Sequence, residues 1–132
     1  MLLSRSALIP LLPLLSAPAL PALADPSFEC SGSSQVEIGN CMSATADTVD
    51  AALVNVYTIA TAAAAGLDET TDRPLAVPAL QASQAAWEAW RDAQCDFVGT
   101  TFGGGSGTGI AITGCRIELG RARINQLLET AN

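Results

Sequence analysis

Four cysteines, 13 carboxylates, six arginines and a serine set in a glycine run are the side chains of this sequence that have chemistry to offer. Lysine and histidine are absent. That excludes Schiff-base catalysis on lysine, every histidine-dependent triad and every histidine-ligated metal centre. Cys30, Cys41, Cys95 and Cys115 follow one another at intervals of 11, 54 and 20 residues. No C-x-x-C pair is among them, so two disulfides are expected in preference to a four-cysteine zinc site. Three pairings are open. The sequence-near one, Cys30–Cys41 with Cys95–Cys115, closes two short loops, each contributing on the order of 2–3 kcal/mol, and is the expected one.

The remaining groups point away from catalysis. Ser106 has no histidine to act as its base anywhere in the chain. Gly103, Gly105 and Gly107 alternate, but Thr108 stands where G-x-G-x-x-G places its third glycine. A phosphate loop also needs a strand before it, and no strand pattern occurs. Nothing brings two carboxylates into one cleft for acid–base work. Asp47, Asp50, Glu88 and Asp92 read as helix-surface charge that aids solubility and attracts a partner. The sequence therefore predicts no catalytic residue, no metal and no cofactor.

These groups sit in a chain of 132 residues, enough for one domain. Hydrophobic residues make up 49%, too many for a disordered chain. The net charge of −7 excludes nucleic acid, whose phosphates need a basic surface. Residues 1–24 have the layout of a secretory signal peptide: Arg5, an apolar run from Ala7 to Leu15, then Ala22-Leu23-Ala24 before Asp25. Prolines at 10, 13, 18 and 21 and a run short of ~20 apolar residues argue against a membrane-spanning anchor. Ser27-Phe28-Glu29 ahead of Cys30 is a poor lipoprotein site. Cleavage after Ala24 would leave a soluble domain, 25–132, with five arginines, 13 acids and a formal net charge of −8. The expected location is the periplasm or the medium, with no stable membrane anchor. A domain of that size is stable by a modest margin, which gives the disulfides a purpose.

Three helices must position these side chains. Ser34-Gln35-Val36-Glu37 has the form of a capping box. Met42, Ala46, Val49, Leu53, Val56, Ala60 and Ala64 then recur at helical spacing. Gly66 is the expected C-terminal cap, and Leu67 to Pro74 an acidic loop. Pro78 opens a second helix over 79–97, with Leu80, Gln84, Trp87, Arg91 and Cys95 on one face. The run Gly99 to Gly109 is expected to be loop, since each interior glycine costs a helix about 1 kcal/mol. A third helix over 112–130 presents Ile112, Cys115, Leu119 and Ala122, with Ile117, Ile124 and Leu127 beside them. The fold class is all-α, a small three-helix bundle with two disulfides and a glycine-rich loop between helices two and three.

With these residues in place, the mature region resembles the small exported cysteine-containing domain family named for the lysozyme inhibitor LprI. The clearest stretch is Leu80 to Cys95. The family motif runs leucine, three residues, glutamine, two residues, tryptophan, two residues, an aromatic, then Arg-Asp and a cysteine three further on, and every position is matched. Cys30 and Cys41 match the first two cysteines, and Asp50, Leu53 and Tyr57 a D-x-x-L-N-x-x-Y stretch. Gly104-Gly105-Ser106 matches a Gly-Gly-Ser turn. Cys115, Leu119, Arg123 and Leu127 match the last helix. Val54 replaces the family's asparagine and Gly120 its threonine, and the glycine loop is longer than usual. The namesake is a lipoprotein, and this chain lacks that signal.

The resemblance implies an inhibitor of a lysozyme or another cell-wall hydrolase. A basic lysozyme would be steered toward a chain of this charge. A non-inhibitory envelope module that stabilises or docks other proteins is the alternative. Asp50, Tyr57, Gln84, Trp87, Arg91, Asp92 and Arg123 read as an internal polar network, with Tyr57 and Asp50 the expected partners of Gln84 and Arg91. On that reading Arg91→Ala costs about 3–5 kcal/mol if it strands a buried charge. Trp90 is expected in the core, with an exposed sugar-stacking role as its alternative. The glycine loop is either a connector or an element that inserts into a partner. Phe102, Gly104, Gly105 and Ser106 are its candidate binding residues, with Phe102 as anchor.

Overall fold

The computed structural model describes residues 25–131. The expected signal peptide lies outside the described residues. A 3-10 turn, η1 (Pro26–Glu29), leads into α1 (Gln35–Thr71), α2 (Ala76–Thr100) and α3 (Thr108–Ala131). No strand occurs among the described residues. The all-α bundle of three helices is thus the observed architecture, and both sequence-near disulfides, Cys30–Cys41 and Cys95–Cys115, are formed.

The start of α1 follows the sequence. The Ser34 hydroxyl accepts from the Glu37 N–H at 3.2 Å, and the Glu37 carboxylate accepts from the Ser34 N–H at 3.1 Å. Two further bonds from Ser33 hold the same carboxylate and keep its pKa below the usual range. The end of α1 differs from expectation. The helix passes through Gly66 and stops at Asp72, in the left-handed region at φ 52°. One glycine costs about 1 kcal/mol, too little to end a helix whose next turn has a use. That use is Asp68. Its carboxylate accepts from the backbone N–H groups of Leu75, Ala76 and Val77 at 3.0, 2.7 and 3.0 Å. It thereby caps α2, whose own N-cap, Leu75, supplies no side-chain bond. The acidic loop of 67–74 accordingly shrinks to the few residues around Arg73.

The glycine run is also shorter as a loop than expected. Gly99 is helical and buried, because a Cβ there would come 2.7 Å from Ile112 Cδ1; its missing side chain lets α2 approach α3. Gly109 lies in the first turn of α3. Turns and bends occupy only 101–107, where Gly103 and Gly104 supply positive φ of 63° and 78°.

α3 packs along both other helices, and α1 touches α2 least. One buried cluster joins Cys30, Met42, Val49 and Ile117; the other joins Leu53, Ala60 and Leu127, with Tyr57, Leu80 and Trp87 packed on it. Ile124 borders both. The buried positions of α1 are among those its periodicity picks out. The face of α3 is turned from the expected one: Ile117, Leu127, Gly114 and Gly120 are buried, whereas Ile112, Cys115, Leu119 and Ala122 are only partly covered. Close approach to α1 causes this. A Cβ on Gly120 would stand 2.7 Å from Val49 Cγ1. Gly120→Ala should therefore destabilise by about 1–2 kcal/mol, overpacking outweighing the helix propensity gained. Urea unfolding checks it, and a stabilised variant contradicts the close approach.

Candidate functional site

Two regions collect the sequence-derived site residues. The first is a polar spine around Trp87, on the middle of α2. Arg91, one turn on, lies over the Trp87 ring at 4.9 Å and donates to Asp50 of α1 at 2.9 Å. Arg123 of α3 lies 5.8 Å from the same ring. It also donates to the Gln84 carbonyl oxygen at 3.0 Å and to the Ser83 hydroxyl at 3.0 Å. The Gln84 amide nitrogen donates to Glu88 at 3.0 Å. Gln84 is buried, so these bonds satisfy an amide that would otherwise be costly to enclose.

The network bonds helix to helix along a partly exposed seam with only Gln84 buried, and with one change of partners. Asp50 pairs with Arg91 as expected, but Gln84 is held by Arg123 and Glu88. Tyr57 is brought in by packing on the second cluster. Asp92 meets Arg116 at 3.5 Å with both side chains about half exposed, a pair of little energetic weight. The Arg91 side chain is 16% exposed, but Asp50 is 57% exposed. Removing Arg91 therefore strands no buried charge. Arg91→Ala is expected to cost about 1–2 kcal/mol in lost ring and stem packing plus a solvent-screened pair, and not the larger penalty. Thermal melting of the variant measures it.

The second region is the end of the bundle carrying residues 101–107. Phe102 stands 53% exposed there. Its ring lies 3.5 Å from where a Cβ on Gly107 would be, so the ring folds back along the turn. Gly104, Gly105 and Ser106 are exposed beside it. The Cys95–Cys115 bridge ties α2 to α3 behind the turn, with Cα atoms 5.5 Å apart. A cleft of about 520 Å³ opens next to Phe102, between η1, the start of α1, the end of α2 and the first half of α3. Asp25 and Glu118 line it. Burial, reinforced by the Asp25 charge, raises the Glu118 pKa.

Sequence reasoning missed three features here. Arg121 clasps both oxygens of Glu29 at 2.6 and 2.8 Å and pins η1 onto α3. Those residues lie 92 positions apart, with no local signal linking them. The cleft itself exists only once η1 is folded over α3. Trp90, expected in the core, is half exposed on the outer face of α2, and Phe97 stands exposed two turns on. Among the described residues no cluster of acidic or cysteine side chains is arranged to hold a metal.

The family model described as "Lysozyme inhibitor LprI" matches residues 29–127. An uncharacterized protein of Rhizobium meliloti (strain 1021) is 33% identical over 105 residues, covering 73% of each chain. No solved structure matches.

Proposed function

The chain belongs to the lysozyme inhibitor LprI family, and from that footing we propose that it is an exported, non-catalytic binding protein that inhibits a lysozyme or another cell-wall hydrolase. The observation that carries this reading is Phe102, an exposed aromatic on a glycine turn whose flanking helices are bridged by Cys95–Cys115. A turn held at its base loses less conformational freedom on entering a partner's cleft. The acidic balance supports a basic partner, drawn in by long-range attraction. Two disulfides suit an oxidising compartment, the periplasm or the medium. By length and composition α1 is long and apolar enough to cross a membrane. We read it as a bundle helix that packs through one face, since Met42, Val49, Leu53 and Ala60 are buried against the other helices.

One observation favours the alternative, an envelope module without inhibitory activity. The motif residues Asp50, Gln84, Trp87, Arg91 and Arg123 are occupied in holding the helices together, so the motif by itself specifies a fold.

Phe102→Ala separates the loop from the acidic surface. The variant should bind the target lysozyme about 10–30-fold more weakly, the effect of removing a buried aromatic anchor. The native protein should keep most of its affinity at 1 M salt, where the Debye length is only about 3 Å. Titrations at low and high salt measure both. Unchanged affinity in the variant, with native binding abolished at 1 M salt, assigns the work to the acidic face of α1 and α2 instead.

A further inference from the structure

The cleft beside Phe102 has a chemistry of its own. Its walls are largely apolar, formed by Pro26, Ile38, Val98 and Ile110. Gly114 keeps part of it open: a Cβ there would lie 3.4 Å from Met42 Cε and 4.0 Å from Asp25 Oδ1. Two carboxylates, Asp25 and Glu118, face this space; the nearby cation, Arg121, is clasped by both oxygens of Glu29 and its charge also reaches Glu118. A largely apolar cleft where three carboxylates, Asp25, Glu29 and Glu118, outnumber the one arginine complements a guest with an aliphatic stem and a positive end. The volume of about 520 Å³ suits a side-chain-sized guest.

Resting on the inhibitor reading, we propose that this cleft receives a lysine or arginine side chain of the basic partner, its stem against the apolar walls and its cation between Asp25 and Glu118. Phe102 at the rim would then pack over the stem while the surrounding turn contacts the partner. Processing after Ala24 would add one ammonium at Asp25, which still leaves three carboxylates, Asp25, Glu29 and Glu118, against two cations, Arg121 and that ammonium. Glu118, half-buried and raised in pKa by burial and by Asp25, is the group a cationic guest relieves most.

The test uses n-butylammonium, the equivalent of a whole lysine side chain, titrated into the isotope-labelled protein and followed by NMR. The neutral 1-butanol, with the same four-carbon stem, is the matched control. Saturable shifts at Phe102, Gly114 and Glu118 are expected with the ammonium, and binding about tenfold weaker with the alcohol. Glu118→Gln should weaken that preference several-fold without lowering the melting temperature, Asp25 remaining. No saturable shifts, equal binding of the alcohol, or an unchanged preference in Glu118→Gln would overturn the proposal. Lysozyme assays on the same samples keep the two readings apart. A protein that inhibits lysozyme yet ignores butylammonium overturns the cleft assignment alone. One that binds butylammonium yet slows no lysozyme overturns the inhibitor reading, and with it the assigned partner.

Discussion

Replacing Cys95 and Cys115 together by alanine is expected to lower stability by about 3 kcal/mol and to weaken binding of any partner held by the 101–107 turn. The bridge closes a loop of 20 residues, and tying off a loop of that length removes about 3 kcal/mol of unfolded-chain entropy. Cys95 is fully buried, so the smaller alanine also leaves space in the core. The effect on binding has a separate origin. Without the bridge the ends of α2 and α3 fray more readily, and the turn that presents Phe102 must be ordered afresh in the complex. Denaturant unfolding of the pair variant, alongside partner titration, checks both parts. An unchanged midpoint would show that packing of Gly99 on Ile112 holds this end without help.

Ile117→Ala should cost about 2–5 kcal/mol, the range for truncating a fully enclosed aliphatic side chain. Ile117 has no exposed surface and shares its cluster with Met42, also fully enclosed, Val49 and Cys30. The Cys30–Cys41 bridge and the Glu29–Arg121 pair fix the chain around that cluster, so it has little freedom to collapse into the space left. Domains of this size are stable by about 5–15 kcal/mol, so the loss is a large share. Equilibrium unfolding measures it; a loss under about 1 kcal/mol would mean that the cluster relaxes around the gap. Combining it with Met42→Ala should give a non-additive result, because the two side chains belong to one cluster.

What the sequence tells of this molecule divides along physical lines. Local signals were readable. The Ser34–Glu37 box, the periodicity from Met42 to Ala60 and the grouping of Gln84, Trp87 and Arg91 on one face each depend on neighbours within a few residues. Contacts between elements were not. Asp68 caps a helix other than its own, and nothing in Leu67 to Pro74 distinguishes that role from a solvated acidic loop. Gly99 and Gly120 have the composition of helix breakers, but at both positions the absent Cβ admits another helix. Gly66 resembled a cap because sequence alone carries no measure of what the next turn would gain. In the candidate site, Asp50, Gln84, Trp87, Arg91 and Arg123 were legible as members of the Trp87 spine, whereas Ser83 and Glu88 were not, and Asp92 pairs outside it with Arg116. The cleft was invisible, since η1 is held over α3 by contacts distant in sequence, the Glu29–Arg121 clasp and the burial of Pro26 among them.

The central claim is inhibition of a cell-wall hydrolase, and lysis of a bacterial cell suspension tests it most directly. Lysozymes of different types would each be assayed with and without the purified protein, and with its Phe102→Ala variant. Slower lysis by at least one lysozyme at near-stoichiometric inhibitor is the expected result, with the variant substantially less effective at an unchanged melting temperature. Lysis at full rate for every lysozyme type, in the presence of excess folded and oxidised protein, would contradict the account and favour the non-inhibitory envelope module.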